Sequence, residues 1–287
     1  MSIDLHTHSI YSDGTQSPAE LVELAVNRRL RGLSLTDHDT TEGNREAVET
    51  GKALGIEVIP GLEISTRYDS LPLHILGYWV DDTDSVLADA LLRLQQGREK
   101  RNKKIITVLQ ELGIAITETK VLRVSGRGLV GRPHIARVLI ESGVVRNMHQ
   151  AFDKFLKKGA PAYVARFAFS VEESIAMIHG AGGIAVLAHP GQIPGDKYGL
   201  ARLLDILCSC GLDGIEAYYP SHSVQFRKSL VKMADRRDLV LTGGSDYHGD
   251  IRHGANMAGG KNVFVPPALI DTMKQKRDSV LDSYRKS

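Results

Sequence analysis

Apolar residues along the first part of the chain fall into short runs separated by stretches of helical periodicity, the signature of strands alternating with amphipathic helices. Ile3 to Leu5 reads as a strand. Ser17-Pro18-Ala19-Glu20 reads as a helix start, with a capping hydroxyl, a proline in the first turn and a carboxylate three residues after the cap. The stripe Leu21, Leu24, Ala25 continues that helix and Gly32 closes it. Leu33 to Leu35 makes a second strand, Glu42 to Leu54 a second helix closed by Gly55, Val58 and Ile59 begin a third strand, and Leu73 to Val80 forms a fourth. After residue 180 the alternation returns, with strands at Ile184 to Leu187, Gly214 to Ala217, Leu239 to Thr242 and near Val263, and helices at Leu200 to Cys210 and Val224 to Arg236.

Between about 84 and 180, helical patterns follow one another with hardly a strand. The pattern therefore predicts an α/β barrel of about seven parallel strands, assembled from 1–83 and 181–287, with 84–180 as a mostly helical insertion. An open doubly wound sheet is the rival architecture. Within the insertion, Gln95 to Lys104 interrupts the apolar stripe, and the run Arg98 to Lys104 is expected to be a solvated helix face. Gly180 to Gly183 precedes a strand instead of following one, so it reads as a helix stop and turn, not a dinucleotide fingerprint.

Composition narrows the function classes. With 287 residues, 42% of them apolar, the chain can bury a core without staples. Its 36 basic and 34 acidic side chains leave +2, too little to coat nucleic acid or an anionic membrane. Cys208 and Cys210 are one residue apart in a predicted helix, where their side chains diverge, so no disulfide framework is expected. Nothing approaches a membrane-spanning apolar run, and no secretory leader precedes the first strand. A cytoplasmic protein with no membrane partner is the expectation; the oligomeric state stays open.

The chemistry lies at the strand ends. His6 and His8 follow the first strand two residues apart, so an extended backbone puts both on one side. Asp13 lies just beyond, His38 ends the second strand, Glu63 follows the third and His74 lies in the fourth. His189, Asp246 and His248 end later strands. In a parallel barrel these ends open on one face. Three acids and six of the eleven histidines packed together without cations would repel and be desolvated at a cost of several kcal/mol, so bound metal ions explain the pattern.

His6-Thr7-His8, Ser12-Asp13-Gly14, Thr36-Asp37-His38-Asp39, Gly61-Leu62-Glu63-Ile64-Ser65, His74, Ala188-His189-Pro190 and Gly244-Ser245-Asp246-Tyr247-His248-Gly249 together resemble the motif series of the PHP (polymerase and histidinol phosphatase) superfamily over about residues 1 to 270. Asp13 in place of a histidine, and an insertion carrying Gly131-Arg132-Pro133-His134, resemble the branch of 3′,5′-nucleoside bisphosphate phosphatases and a related 5′-3′ exoribonuclease. That resemblance implies a distorted (β/α)7 TIM-like barrel whose insertion covers the active site. It also implies three divalent ions, Mn by preference and Fe or Zn as alternatives. Carried over by position, His6, His8, Glu63 and Asp246 hold the first ion. Glu63 bridges to a second held by His74 and His189, and Asp13, His38 and His248 hold the third. Glu63, Asp246 and His248 are then the catalytic residues. Mixed imidazole and carboxylate ligation without thiolate agrees with those metals.

Weaker signals concern the substrate. Arg132 and His134 sit at a helix start, suited to a phosphate that is not cleaved. His222 is a candidate contact for the scissile phosphate, and Tyr218 and Tyr219 for a base. Lys157 and Lys158 receive no assignment. The expected activity is a metal-dependent phosphoesterase removing the 3′-phosphate of a nucleoside 3′,5′-bisphosphate. Its rival is a 5′-3′ exonuclease on short 5′-phosphorylated RNA or DNA, which an open groove beyond the metals would favour. An amidohydrolase-type C–N hydrolase is more distant, because such sites commonly bridge metals with a carboxylated lysine where Glu63 stands here. An inert module is disfavoured because every ligand is kept.

Overall fold

The computed structural model describes residues 1–126, 128–249, 256–260 and 263–284. Eight strands form one curled sheet: β1 (Asp4–Thr7), β2 (Gly32–Leu35), β3 (Glu57–Tyr68), β4 (Leu71–Tyr78), β5 (Phe169–Ser170), β6 (Ile184–Leu187), β7 (Gly214–Tyr218) and β8 (Val240–Gly243). Their order is β1-β2-β3-β4-β6-β7-β8, with β5 paired to β3 beside that path. Along that path the strands follow chain order without reversing, so the doubly wound order does not fit.

The expectation of uniformly parallel strands needs correcting. β4 runs antiparallel to both β3 and β6. Only Asp69 and Ser70 separate β3 from β4, too few for a crossover, and Asp69 takes the positive φ of 49° that tight hairpins use. This hairpin serves the site. Ser65 lies opposite His74, so His74 is the diagonal, same-face neighbour of Glu63 two residues away.

The far edge of the sheet returns to β1. Thr7 and Tyr247 form a parallel bridge, the Asp246 amide donates to the His6 carbonyl at 2.9 Å and the His8 amide to the Tyr247 carbonyl at 2.8 Å. Gly244 makes that approach possible, because a Cβ there would lie 2.4 Å from the His6 backbone nitrogen. The buried Asp4 carboxylate then ties the seam, accepting from Ser245 N at 2.9 Å, Ser245 Oγ at 2.6 Å and Ala258 N at 2.8 Å.

Helices α1 (Pro18–Asn27), α2 (Asn44–Leu54), α7 (Val171–Gly180), α8 (Lys197–Ser209), α9 (Val224–Asp235) and α10 (Leu269–Tyr284) join helices α3 (Ser85–Glu111), α4 (Glu118–Ser125), α5 (Arg132–Glu141) and α6 (Met148–Ala151), the last followed by a π-helical turn, Phe152–Leu156. The Ser17 capping box is present: Ser17 Oγ accepts from Glu20 N at 3.2 Å and Glu20 accepts from Ser17 N at 2.7 Å. Gly32 opens β2 instead of ending α1, which stops at Arg28. α10 and β5 are additions to the sequence-based pattern, and residues 263–266 are not a strand. There, the Val265 carbonyl accepts from Ile3 N and Ser2 Oγ bridges to its amide, in place of a ladder.

Two of the four hydrophobic cores among the described residues meet along α3. Leu62, Ile64 and Ile75 of the sheet pack against Ile175 and Ile178 of α7 and against Leu87, Leu91 and Leu94 of the first half of α3. A separate core joins Ile105 and Leu109 from the second half of α3 to Val121, Ile135 and Leu139 of α4 and α5. α3 is therefore a beam shared by both, and its middle faces the strand ends. No helix among the described residues is long and apolar enough to cross a membrane.

Candidate metal centre

The fold brings all nine predicted ligands into one buried cluster. Glu63 is its centre. Its Oε1 lies 2.7 Å from His74 Nδ1 and 2.9 Å from His189 Nε2, while Oε2 lies 2.9 Å from His38 Nδ1 and 3.4 Å from both His6 Nε2 and His8 Nε2. Asp246 Oδ1 is 3.2 Å from His8 Nε2 and 3.5 Å from His6 Nε2. Asp13 Oδ1 faces His248 Nε2 at 3.3 Å and His38 Nε2 at 3.9 Å. Three overlapping sets have metal-ligand spacing: His8, Asp13, His38 and His248; His6, His8 and Glu63; His38, Glu63 and His74.

Several of the inward-facing atoms have no hydrogen-bond partner although they are buried: His6 Nε2, His8 Nε2, Asp13 Oδ1, His38 Nδ1 and Glu63 Oε2. Leaving five buried polar atoms unmatched at one point costs far more than a typical fold tolerates, so the donor set fits divalent cations. The charge states agree. Burial alone would raise the Glu63 carboxyl, but His38, His74 and His6 hold it well below the usual carboxylate range. Asp13 and Asp246 behave likewise, burial being outweighed above all by His248 in each case. Burial, with His248 and His38 beside it, pushes His8 down to about 3, and burial pushes His74 down to about 4. Both rings are therefore neutral at neutral pH, the form in which an imidazole can ligate a metal.

A second set of buried carboxylates aims the first. Glu216 Oε1 accepts from His6 Nδ1 at 2.9 Å and its Oε2 from the His189 amide at 2.6 Å. Asp37 accepts from the Ser9 amide and from the Ser9 and Ser12 hydroxyls, fixing the loop that carries Asp13. Tyr219 Oη donates to Asp246 Oδ2 at 2.7 Å. His189 and Asp246 hold positive φ values of 27° and 53°, strain that surrounding contacts sustain.

Comparison with known proteins decides the family. The PHP domain pattern matches residues 4–113. The 3′,5′-nucleoside bisphosphate phosphatase of Chromobacterium violaceum is 35% identical over 267 residues, covering 93% of each chain. The chain belongs to the PHP family. The 5′-3′ exoribonuclease Rnm of Salmonella typhimurium is 35% identical over 247 residues, 85% of this chain and 84% of that one. A solved structure from Bifidobacterium adolescentis, named as a metal-dependent phosphoesterase, superposes with a TM-score of 0.85 at 30% identity over 96% of each chain. This PHP protein is a phosphoric ester hydrolase, and its clustered imidazoles and carboxylates are suited to divalent metals.

The cluster shares a pocket of about 250 Å³ with Arg98, Arg101, Arg132 and Arg166. Only Arg132 among them was expected. Arg98 is buried and pairs with Asp39, whose Oδ2 is also 3.6 Å from Arg166. Burial would raise Asp39, yet Arg98, Arg166 and His38 lower its carboxyl far below the usual range. The expectation of a solvated 98–104 face is thus half wrong: Glu99, Lys100, Lys103 and Lys104 are exposed, while Arg98, Arg101 and Asn102 are buried. Burial and then Arg98, Arg166 and Arg132 push Arg101 down to about 8. Arg98 and Arg166 share Asp39, while Arg101 and Arg132 make no ion pair among the described residues, so the four guanidinium groups leave a surplus of positive charge that a phosphate dianion matches.

Two expected substrate contacts have ring nitrogens engaged by backbone. His134 is 2% exposed, and its Nδ1 accepts from the Gly131 amide at 2.9 Å, so its ring caps α5. His222 donates from Nδ1 to the Ala217 carbonyl at 3.0 Å and accepts at Nε2 from the Gly191 amide at 3.1 Å. With both nitrogens on backbone, it braces the turn Pro190–Gln192 after His189. Lys157 and Lys158 line an adjoining groove. Cys208 and Cys210 are free, and His253 lies outside the described residues.

Glu216 offers a direct check of the supporting carboxylates. Glu216→Gln should leave the fold intact and weaken metal retention by roughly ten- to a hundredfold, because one imidazole loses the partner that fixes its tautomer. Manganese titration of activity after dialysis against a chelator measures this; a wild-type titration curve would limit Glu216 to bracing backbone.

Proposed function

We propose that this PHP protein removes the 3′-phosphate of nucleoside 3′,5′-bisphosphates such as adenosine 3′,5′-bisphosphate, giving the 5′-monophosphate and phosphate. One observation carries the reading: four arginines line the same pocket as the ligand cluster, so one molecule with two phosphates can engage both. The named activity of the Chromobacterium relative supports it. The cluster is read as holding three divalent ions, Mn by preference with Fe or Zn as alternatives. His6, His8, Glu63 and Asp246 serve the first, Glu63, His74 and His189 the second, and Asp13, His38 and His248 the third. The curled sheet with its returning edge is read as a distorted (β/α)7 barrel, and 84–180 as the insertion that covers the active site.

Such ions lower the pKa of water and offset charge building on phosphoryl oxygens. The chain's own residues do the rest. Arg101 and Arg132 hold the phosphate that is not cleaved and so fix the position of the other. Arg98 and Arg166 share Asp39, whose Oδ1 in turn accepts from the Ser65 amide at 2.7 Å, so the arginine wall is anchored beside His38 and Glu63. Asp246 is oriented by Tyr219, and His248 by donation from Nδ1 to the Asp246 carbonyl at 2.8 Å. The second reading, 5′-3′ exonuclease action, keeps this chemistry with more chain attached to the scissile phosphate; the name of the Salmonella relative and a groove beside the pocket favour it.

The test is phosphate release by manganese-loaded protein on a panel of adenosine 3′,5′-bisphosphate, histidinol phosphate, a cyclic nucleotide and a short 5′-phosphorylated RNA. The bisphosphate should give the highest kcat/KM among the small molecules. Preference for histidinol phosphate or the cyclic nucleotide would sink the proposal.

A further inference from the structure

Tyr219 donates its one hydroxyl proton to Asp246 Oδ2 at 2.7 Å, and an ionised carboxylate has no proton to return. Toward Gln192, whose amide nitrogen lies 2.7 Å away, the Tyr219 oxygen can therefore only accept. This decides which way round the Gln192 amide stands: Nε2 is committed to the tyrosine, and Oε1 is left over. Oε1 has no hydrogen-bond partner among the described residues, and Gln192 lines both the catalytic pocket and the groove beside it. The residue is exposed, so this acceptor is open to a ligand.

The backbone beneath Gln192 is held in place. Its own amide donates to the His189 carbonyl at 2.9 Å, and the preceding Gly191 amide donates to His222 Nε2 at 3.1 Å. His222 is fixed in turn by the Ala217 carbonyl, and a Cβ at Gly191 would lie 2.7 Å from the His222 ring, so the turn and the ring are built against each other. A side chain anchored at its backbone and at its amide nitrogen presents the remaining atom in one place. Every other polar side chain lining the pocket is a guanidinium, an imidazole or a carboxylate. Arginines and ions hold phosphate oxygens; an amide oxygen repels them and calls for a hydroxyl or amino donor instead.

A nucleoside 3′,5′-bisphosphate has one free hydroxyl, at C2′, on the carbon next to the one that bears the scissile phosphate. Gln192 is two hydrogen bonds from Asp246, a candidate ligand of the first ion, so a donor beside the scissile phosphate is the one within its reach. We infer that Gln192 is a specificity-determining residue whose Oε1 accepts from the 2′-hydroxyl of the substrate, so that the site selects ribose over deoxyribose. The inference rests on the bisphosphate reading above and deepens it. Tyr219 then has two tasks, orienting Asp246 and setting the polarity of Gln192.

The test compares wild type with Gln192→Met, which keeps the length of the side chain and removes the acceptor. Each manganese-loaded enzyme is assayed on adenosine 3′,5′-bisphosphate and on 2′-deoxyadenosine 3′,5′-bisphosphate. In parallel, calorimetry follows binding of adenosine 5′-monophosphate and 2′-deoxyadenosine 5′-monophosphate. Wild type should favour the ribose substrate by roughly three- to tenfold in kcat/KM, the worth of one neutral hydrogen bond, and Gln192→Met should erase that preference. If the amide merely supports Tyr219, the variant lowers both substrates equally and keeps the wild-type preference, which would overturn the assignment. A wild type active on both substrates without preference would also overturn it, leaving the proposed function standing. A wild type inert on both bisphosphates refutes the proposed function, and binding then decides Gln192 alone: equal affinities for the two monophosphates, or no affinity for either, would reject it.

Discussion

Glu63→Gln should abolish nearly all turnover, by on the order of a thousandfold or more, and release at least one equivalent of bound metal while the fold survives. The position explains the size of the effect. Oε1 faces His74 and His189 and Oε2 faces His6, His8 and His38, so one carboxylate serves ligand sets on both sides. An amide keeps the shape but offers one acceptor and places an NH2 group against ligating imidazoles. The backbone is unaffected: the Glu63 amide still donates to the Asp37 carbonyl and its carbonyl still accepts from the Asp39 amide, at 3.0 Å each. Elemental analysis together with circular dichroism measures the outcome. Unchanged metal content with normal activity would remove Glu63 from its bridging role.

Arg101→Ala should lower kcat/KM for adenosine 3′,5′-bisphosphate by roughly ten- to a hundredfold, the worth of one charge-assisted contact at about 1.5–3 kcal/mol. On adenosine 3′-monophosphate the same variant should lose little, since the phosphate Arg101 holds is already absent. Arg132→Ala should follow the same cycle, although Arg132 also donates to the Leu156 carbonyl at 3.0 Å and lies over Phe152 and Tyr163. Arg98 is unsuited to this comparison. Removing it strands the buried Asp39 charge, a change that costs about 3–5 kcal/mol of stability. Equal losses on the two substrates would show that Arg101 does not read the second phosphate.

That the nine residues would converge was readable because candidate metal ligands combine two visible properties: they are polar, and they interrupt apolar strands at their ends. Glu216 and Asp4 share those properties, each a lone carboxylate within an apolar strand, and that signal could have identified them as supports. Arg98 and Arg101 were legible by a different route. Leu87, Leu91, Leu94, Arg98, Arg101, Ile105 and Leu109 keep helical spacing along one buried face of α3, so the arginines continue the stripe instead of breaking it. Residue type hid what periodicity displayed. The direction of β4 was not carried by either signal, because an apolar strand reads alike both ways and only the two-residue Asp69-Ser70 link distinguishes a hairpin. α10 escaped for want of contrast: Ile270 and Met273 are its buried residues, too thin a stripe to stand out.

The seam at Asp4 imposes an order of events during synthesis. Six of the nine candidate ligands have emerged by residue 74 of 287, and two of the three groups with metal-ligand spacing, those built around Glu63, lie wholly within that stretch. The set containing Asp13 and His248 waits for nearly the whole chain, and so does Asp246, because both arrive on the segment that docks through Ser245 and Ala258 onto Asp4. A nascent or truncated chain can therefore present a partial claw for metal but not a working centre. Hydrolytic power is withheld until the last edge of the sheet has found the first, which spares the cell a half-made hydrolase.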